Sequence, residues 1–111
     1  MAEKLYHEIT PEGFGIAIEN DKDLFSGKSP FQTVDVFHSR AFGNVLTLDG
    51  LMMVTERDEF FYHEMIVHIP MLTHENPENV LVIGGGDGGT VRELLDRKST
   101  RLNSSHVRTS R

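Results

Sequence analysis

The stretch "VLVIGGGDGGTVRELL", Val80 to Leu95, decides the fold. Four apolar residues lead into six positions, five of them glycine, and an apolar spacing at Val91, Leu94 and Leu95 follows. A continuous apolar run of this length reads as a buried strand, and the later spacing as the start of a helix. Residues 79 to 95 are therefore expected to form a strand, a glycine turn and a helix, the first half-unit of a doubly wound α/β sheet. Gly84, Gly86 and Gly89 satisfy the G-x-G-x-x-G spacing of a dinucleotide loop. Asp87 argues against that use, because a carboxylate in the crevice repels a pyrophosphate and attracts an ammonium or sulfonium group. The spacing alone leaves two roles open for Asp87, a ligand contact and a cap for the helix that follows. A dinucleotide site also needs an acid about 20 residues further on, and no acid follows Asp96.

Upstream, "TERDEFFYHEMIVHI" (Thr55 to Ile69) has helical spacing in Tyr62, Ile66 and Ile69 and again in Phe61, Met65 and His68. Thr55 is expected as its N-cap, with acids Glu56, Asp58 and Glu59 at the positive end of the dipole. Pro70 is expected to kink or restart the helix, and "HENPEN" is expected as a loop. Before the helix, "VLTL" and "LMMVT" flank Asp49-Gly50, which predicts a two-residue hairpin with a type I′ turn. "GFGIAIE" (Gly13 to Glu19) and "FQTVDVFH" (Phe31 to His38) read as further strands, with "ENDKDLFSGKSP" a loop between them. Downstream, residues 97–111, "RKSTRLNSSHVRTSR", hold only Leu102 and Val107 as apolar residues and show no period. They are expected to be disordered. Of two readings, a basic arm for an anionic partner and a segment foreign to the fold, the second is preferred, because the α/β pattern breaks off where a second strand is due.

Residues 1–96 carry 6 basic and 17 acidic side chains, while the last fifteen carry 5 basic and no acidic ones. An acidic body favours cationic partners over nucleic acid. The chain has no cysteine, no apolar run near the roughly 18 residues of a membrane span and no signal-peptide core, so a cytoplasmic location is expected. The histidines lack metal-ligand spacing, His63 and His68 at i, i+5 not sharing a helical face, and no metal is expected.

In the order "LTLDG", "TERDEFFYHEM" and "VLVIGGGDGG", with the "SPFQTVDVF" strand before them, the chain resembles spermidine synthase, the polyamine aminopropyltransferase, over about residues 1–95. The resemblance implies an α/β fold: a small N-terminal antiparallel β domain followed by the start of a Rossmann-like, methyltransferase-type domain, truncated. The expected division is a β-hairpin domain at 1–55, a connecting helix and loop at 56–78, the first strand, loop and helix of the Rossmann-like domain at 79–96, and the tail at 97–111. It also implies transfer of an aminopropyl group from decarboxylated S-adenosylmethionine, a co-substrate with no further cofactor, to putrescine, in a homo-oligomer. On the resemblance, Gln32 contacts the adenosyl substrate or methylthioadenosine, His63 sits at the polyamine site lined by Tyr62, and Asp87 binds an amine of the polyamine. Gly84, Gly85, Gly86 and Gly88 form the loop. Glu59 and Glu64 either tune a cationic site or lie on a solvated helix face. The family's proton-accepting aspartate is expected beyond residue 95, so no catalytic residue is assigned and the 111-residue chain is expected to be inactive. Two other readings remain: an S-adenosylmethionine-dependent methyltransferase fragment, separated from the first by Asp87 together with "FYHE", and a non-enzymatic acidic domain with a basic nucleic-acid-binding arm.

Overall fold

A computed structural model describes residues 4–99 and 107–110. The chain forms two compact units, Met1–Asp58 and Glu59–Arg111. No helix among the described residues is long and apolar enough to cross a membrane.

The first unit is all β. Strands β1 (Leu5–Ile9) and β2 (Gly15–Glu19) pair antiparallel, and β3 (Lys22–Lys28), β4 (Thr33–Ser39), β5 (Gly43–Leu48) and β6 (Leu51–Thr55) make an antiparallel meander in chain order. Ile18, Phe37 and Val45 form the core between the hairpin and the meander, with Tyr6, Phe42 and Met52 packed against them. Polar bonds tie β1 down. The Tyr6 hydroxyl donates to the Gly50 carbonyl (2.7 Å), and Glu8 accepts from the Met52 N–H (2.9 Å). That N–H and the Tyr6 hydroxyl hold the Glu8 carboxyl below the usual range, while burial and then Glu8 push the Tyr6 phenol up.

The hairpin expectation is met at its turn, where Asp49 and Gly50 take φ of 51° and 78°, the signs a type I′ turn requires. The loop expected over residues 19–30 is largely strand β3. It was illegible because β3 has a partner on one side only, and an edge strand bonds through its backbone while tolerating polar side chains; it also carries an irregularity between Asp23 and Phe25. Gln32 lies outside β4, in the turn before it, where Ser29 N–H donates to the Gln32 carbonyl (2.8 Å) and Gln32 N–H to the Ser29 hydroxyl (2.9 Å). Thr55 is not a helix cap. It closes the ladder opposite Val45, is buried, and its hydroxyl donates to Asp58 (2.6 Å).

The second unit begins with helix α1 (Glu59–Thr73), which runs on past Pro70. Below that residue the His74 N–H still reaches the Pro70 carbonyl (3.0 Å), and the Thr73 hydroxyl donates to the Ile69 carbonyl (2.7 Å). Strand β7 (Val80–Ile83), helix α2 (Gly89–Ser99) and strand β8 (Val107–Ser110) follow, and β8 pairs parallel to β7 with Val80 opposite Val107. This is the start of a Rossmann-like region. The expected disorder of 97–111 is corrected where the structure describes it, since α2 extends to Ser99 and 107–110 form a strand. Backbone pairing at an open strand edge requires no apolar pattern in the strand that joins it. Residues 100–106 and 111, the rest of that expectation, lie outside the described residues.

The core of this unit is Val67, Val82 and Leu94, with Met71 and Val80 packed on it. The inward stripe of α1 is therefore His63, Val67 and Met71, at i, i+4 and i+8, while Phe61, Tyr62, Met65, Ile66 and Ile69 of the two rows that show helical spacing are exposed. A helix apolar almost all round offers several stripes, and packing selects one. On β7 the alternation sends Val80 and Val82 inward and leaves Leu81 63% and Ile83 83% exposed.

Candidate functional site

Helix α1, strand β7 and the glycine turn enclose a cavity of about 520 Å³ within the second unit, lined along most of its length by apolar side chains such as Ile66, Pro70 and Val80. Tyr62, His63 and Asp87, three of the residues singled out in the sequence, meet at one end of it, and His74, Asn79 and Thr90 add polar groups to its lining.

The turn exists because glycine tolerates φ values that side chains resist. Gly84, Gly85 and Gly88 have φ of 91°, 68° and 80°, in the left-handed region. Gly86 meets no such demand, and a Cβ there would point into open space. Gly89 is required for a different reason, absent from the set expected above. A Cβ on it would lie 2.3–2.5 Å from three atoms of the His63 ring, far inside van der Waals contact.

His63 is only 2% exposed, yet both ring nitrogens have partners. Nδ1 faces Glu59 Oε2 at 2.5 Å and Nε2 faces Asp87 Oδ2 at 3.1 Å, while the edge of the Tyr62 ring approaches at a centroid distance of 5.3 Å. Asp87 divides its two oxygens. Oδ1 accepts from the Gly89 N–H (3.0 Å) at the first residue of α2, and Oδ2 turns to His63. Of the two roles left open by the sequence, the helix cap is the one formed here, by Oδ1, while Oδ2 contacts His63. The Gly88 carbonyl takes the first helical bond, from Arg92 N–H (2.9 Å).

Glu59, which the sequence left either tuning a cationic site or on a solvated helix face, is largely covered and contacts His63. Arg92 Nη2 lies 2.9 Å from its carboxylate and also bonds Glu93 Oε1 (3.0 Å), whose other oxygen is 3.3 Å from His68 Nε2. The bond from Arg92, and then that from His63, holds the Glu59 carboxyl below its ordinary value, and the two carboxylates raise the Arg92 guanidinium. Glu64, by contrast, is exposed. Arg92 had no signal of its own, since it looks like any surface arginine on a helix, whereas Gly89 stood in the sequence as the third glycine of the G-x-G-x-x-G spacing, a position tied to close packing. Gln32 belongs to the first unit, where it is exposed.

Chemically, this end of the cavity presents acceptors and negative charge. A carboxylate and a cation 4 Å apart attract by about 4 kcal/mol at an effective dielectric of about 20, and the same field opposes an anion. Among the described residues no group of three or more His, Asp or Glu is arranged to hold a metal ion.

Residues 4–56 match a family model described as the spermidine synthase tetramerisation domain, and residues 59–103 one described as the spermine/spermidine synthase domain. The chain is 62% identical over 89 residues to the polyamine aminopropyltransferase of Clostridium perfringens, covering 80% of this chain and 31% of that protein. To the Bacillus subtilis polyamine aminopropyltransferase it is 46% identical over 101 residues, covering 91% and 37%. Among solved structures, spermidine synthase from Thermotoga maritima superposes with a TM-score of 0.84 at 44% identity over 89% of this chain and 35% of that one. A spermidine synthase in complex with the transition state analogue AdoDATO gives 0.82 at 46% identity over 86% and 33%. The chain thus spans about a third of the length of the relatives it matches.

Proposed function

The chain belongs to the spermidine synthase family, and from that premise we propose that the protein it represents transfers an aminopropyl group from decarboxylated S-adenosylmethionine to putrescine, giving spermidine and methylthioadenosine. The supporting observation is Asp87, a carboxylate at the head of a strand–glycine–helix turn where a dinucleotide protein would receive phosphate. In this reading the Asp87 carboxylate holds an ammonium group of the diamine, His63 and Tyr62 line the same end, and the apolar wall takes the methylene chain. Gln32 is assigned to the adenosyl part, or to methylthioadenosine, on the family resemblance alone.

The reaction is a displacement. The amine lone pair forms a C–N bond to the carbon beside the sulfonium, the C–S bond breaks, its electron pair goes to sulfur, and the new ammonium releases a proton to a base. An alkylamine has a pKa near that of lysine, about 10, so roughly one molecule in a thousand is neutral at pH 7 and a base is needed. The aspartate given that role by the resemblance lies past residue 95. Homo-oligomer assembly is part of the same proposal, supported by the description of the model that residues 4–56 match. So are a cytoplasmic location, which the cysteine-free, acidic composition supports, and the absence of any cofactor beyond the co-substrate.

Titration of the chain with putrescine, followed through the amide resonances of Asp87, Gly88 and Gly89, tests the carrying observation. Putrescine is expected to shift them while uncharged 1,4-butanediol does not, and Asp87→Asn is expected to weaken binding by about tenfold or more, the loss of a charge-assisted hydrogen bond. Binding of pyrophosphate in place of putrescine would overturn the reading.

A further inference from the structure

Two carboxylates, from different elements, face one buried imidazole. Glu59 of α1 lies 2.5 Å from Nδ1 and Asp87 of the glycine turn 3.1 Å from Nε2. An ionised carboxylate only accepts hydrogen bonds, and a neutral imidazole has a single N–H to donate. The two acids therefore compete for one proton whenever the ring is neutral. Three features favour Glu59: its contact is shorter, its carboxylate is steadied by Arg92 from α2 at 2.9 Å, and Arg92 is itself anchored by Glu93 at 3.0 Å. Asp87, meanwhile, spends Oδ1 on the Gly89 N–H. The ring has little room to choose otherwise, being 2% exposed and seated against the bare Cα of Gly89.

We propose that Glu59, clamped by Arg92, is a positioning residue that fixes the neutral His63 ring as its Nδ1–H tautomer, leaving Nε2 and the facing Asp87 oxygen both free to accept N–H groups of a cationic amine. The inference rests on the amine-binding reading above for its purpose, though not for its geometry. An ammonium group carries up to three N–H donors in a tetrahedral array and is best met by several acceptors converging from different directions. With the opposite tautomer, Nε2–H would occupy Asp87 Oδ2 and present a donor to a ligand that has only donors. Glu59 thus determines how many acceptors the cavity offers without itself touching the ligand. The same logic governs histidines whose second nitrogen is fixed by a carboxylate or carbonyl. The groups facing the ring are Glu59 and the Tyr62 edge on α1 and Asp87 in the turn, with Arg92 and Glu93 of α2 acting through Glu59.

The test is the 15N spectrum of the His63 ring in the whole chain, recorded without ligand at a pH where the ring is neutral. The wild-type protein is expected to show a protonated Nδ1 and a bare Nε2. Glu59→Gln is expected to move the proton to Nε2, now facing the one remaining carboxylate. Glu59→Asp should restore the wild-type pattern at least in part, and Asp87→Asn should leave the proton on Nδ1. An Nε2–H ring in the wild type overturns the proposal, and this reading needs no variant to fold. An unchanged tautomer in a folded Glu59→Gln protein, confirmed by its circular dichroism, overturns it equally. With the tautomer as stated, putrescine affinity is expected to fall about tenfold in Glu59→Gln. Wild-type protein showing that tautomer but no putrescine binding would overturn the amine reading and leave the anchoring of the ring standing.

Discussion

At the scale of single residues, the glycines of the turn look alike in sequence and differ in what the structure asks of them. Gly85 and Gly88 supply positive φ, Gly89 supplies an absent Cβ, and Gly86 supplies neither. Gly89→Ala is therefore expected to displace the His63 ring and lower stability by about 1–3 kcal/mol, the range for overpacking a filled site. Gly86→Ala, at an unstrained φ with open space around it, should stay within about 0.5 kcal/mol. Chemical denaturation of the two variants side by side checks this, and equal losses would show that the ring contact is not what matters. The helix-capping role of Asp87 was legible as one of two readings, because an aspartate ahead of a helix start is a local signal. Glu59 was legible only as one of two candidate acids, although its contact with His63 is an i, i+4 pair within α1 of the kind helical spacing alone brings together.

At the scale of elements, the reading depended on how much of the signal was local. The Asp49-Gly50 hairpin was fully legible, because the two φ values it needs are a property of the residues occupying the turn. Strand β3 was not, because its strand character comes from β4 alongside it. Helix α1 was recognised but its inward face was not, as its rows of Phe, Tyr, Ile and Met are equally apolar and the choice fell to Val82 and Leu94. Helices α1 and α2 are also joined by the Arg92–Glu59 pair, which makes their association sensitive to acid. The Glu59 carboxyl is depressed below its ordinary 4.5 when folded. Its contribution to stability is therefore complete above that value and is lost as pH falls through the lower folded one. Arg92→Gln should flatten this acid limb. Amide protection of Val67 and Val82 measured from pH 6 down to pH 3 reads it, and an identical pH dependence in wild type and variant would refute the assignment.

At the scale of the whole molecule, the chain holds a β unit and the opening of a Rossmann-like unit, and it spans about a third of the length of its relatives. A cavity with acceptors from His63 and Asp87 is present, and the resemblance assigns the role of proton acceptor to no residue of this chain. General base assistance is worth about 10²–10⁴-fold. The 111-residue chain is accordingly expected to form no spermidine from putrescine and decarboxylated S-adenosylmethionine above a no-enzyme control; production above that background would contradict the expectation. By itself the sequence determined the Asp49-Gly50 hairpin turn, the helix α1 and the strand–glycine–helix succession from Val80, because each depends on neighbouring residues alone. Only the tertiary structure decided which stripe of α1 is buried, that the edge segment Lys22–Lys28 is a strand, and that His63 meets Asp87 and Gly89. Those outcomes depend on which surfaces of separate elements come into contact, and contact between residues distant in the chain leaves no period in the sequence to read.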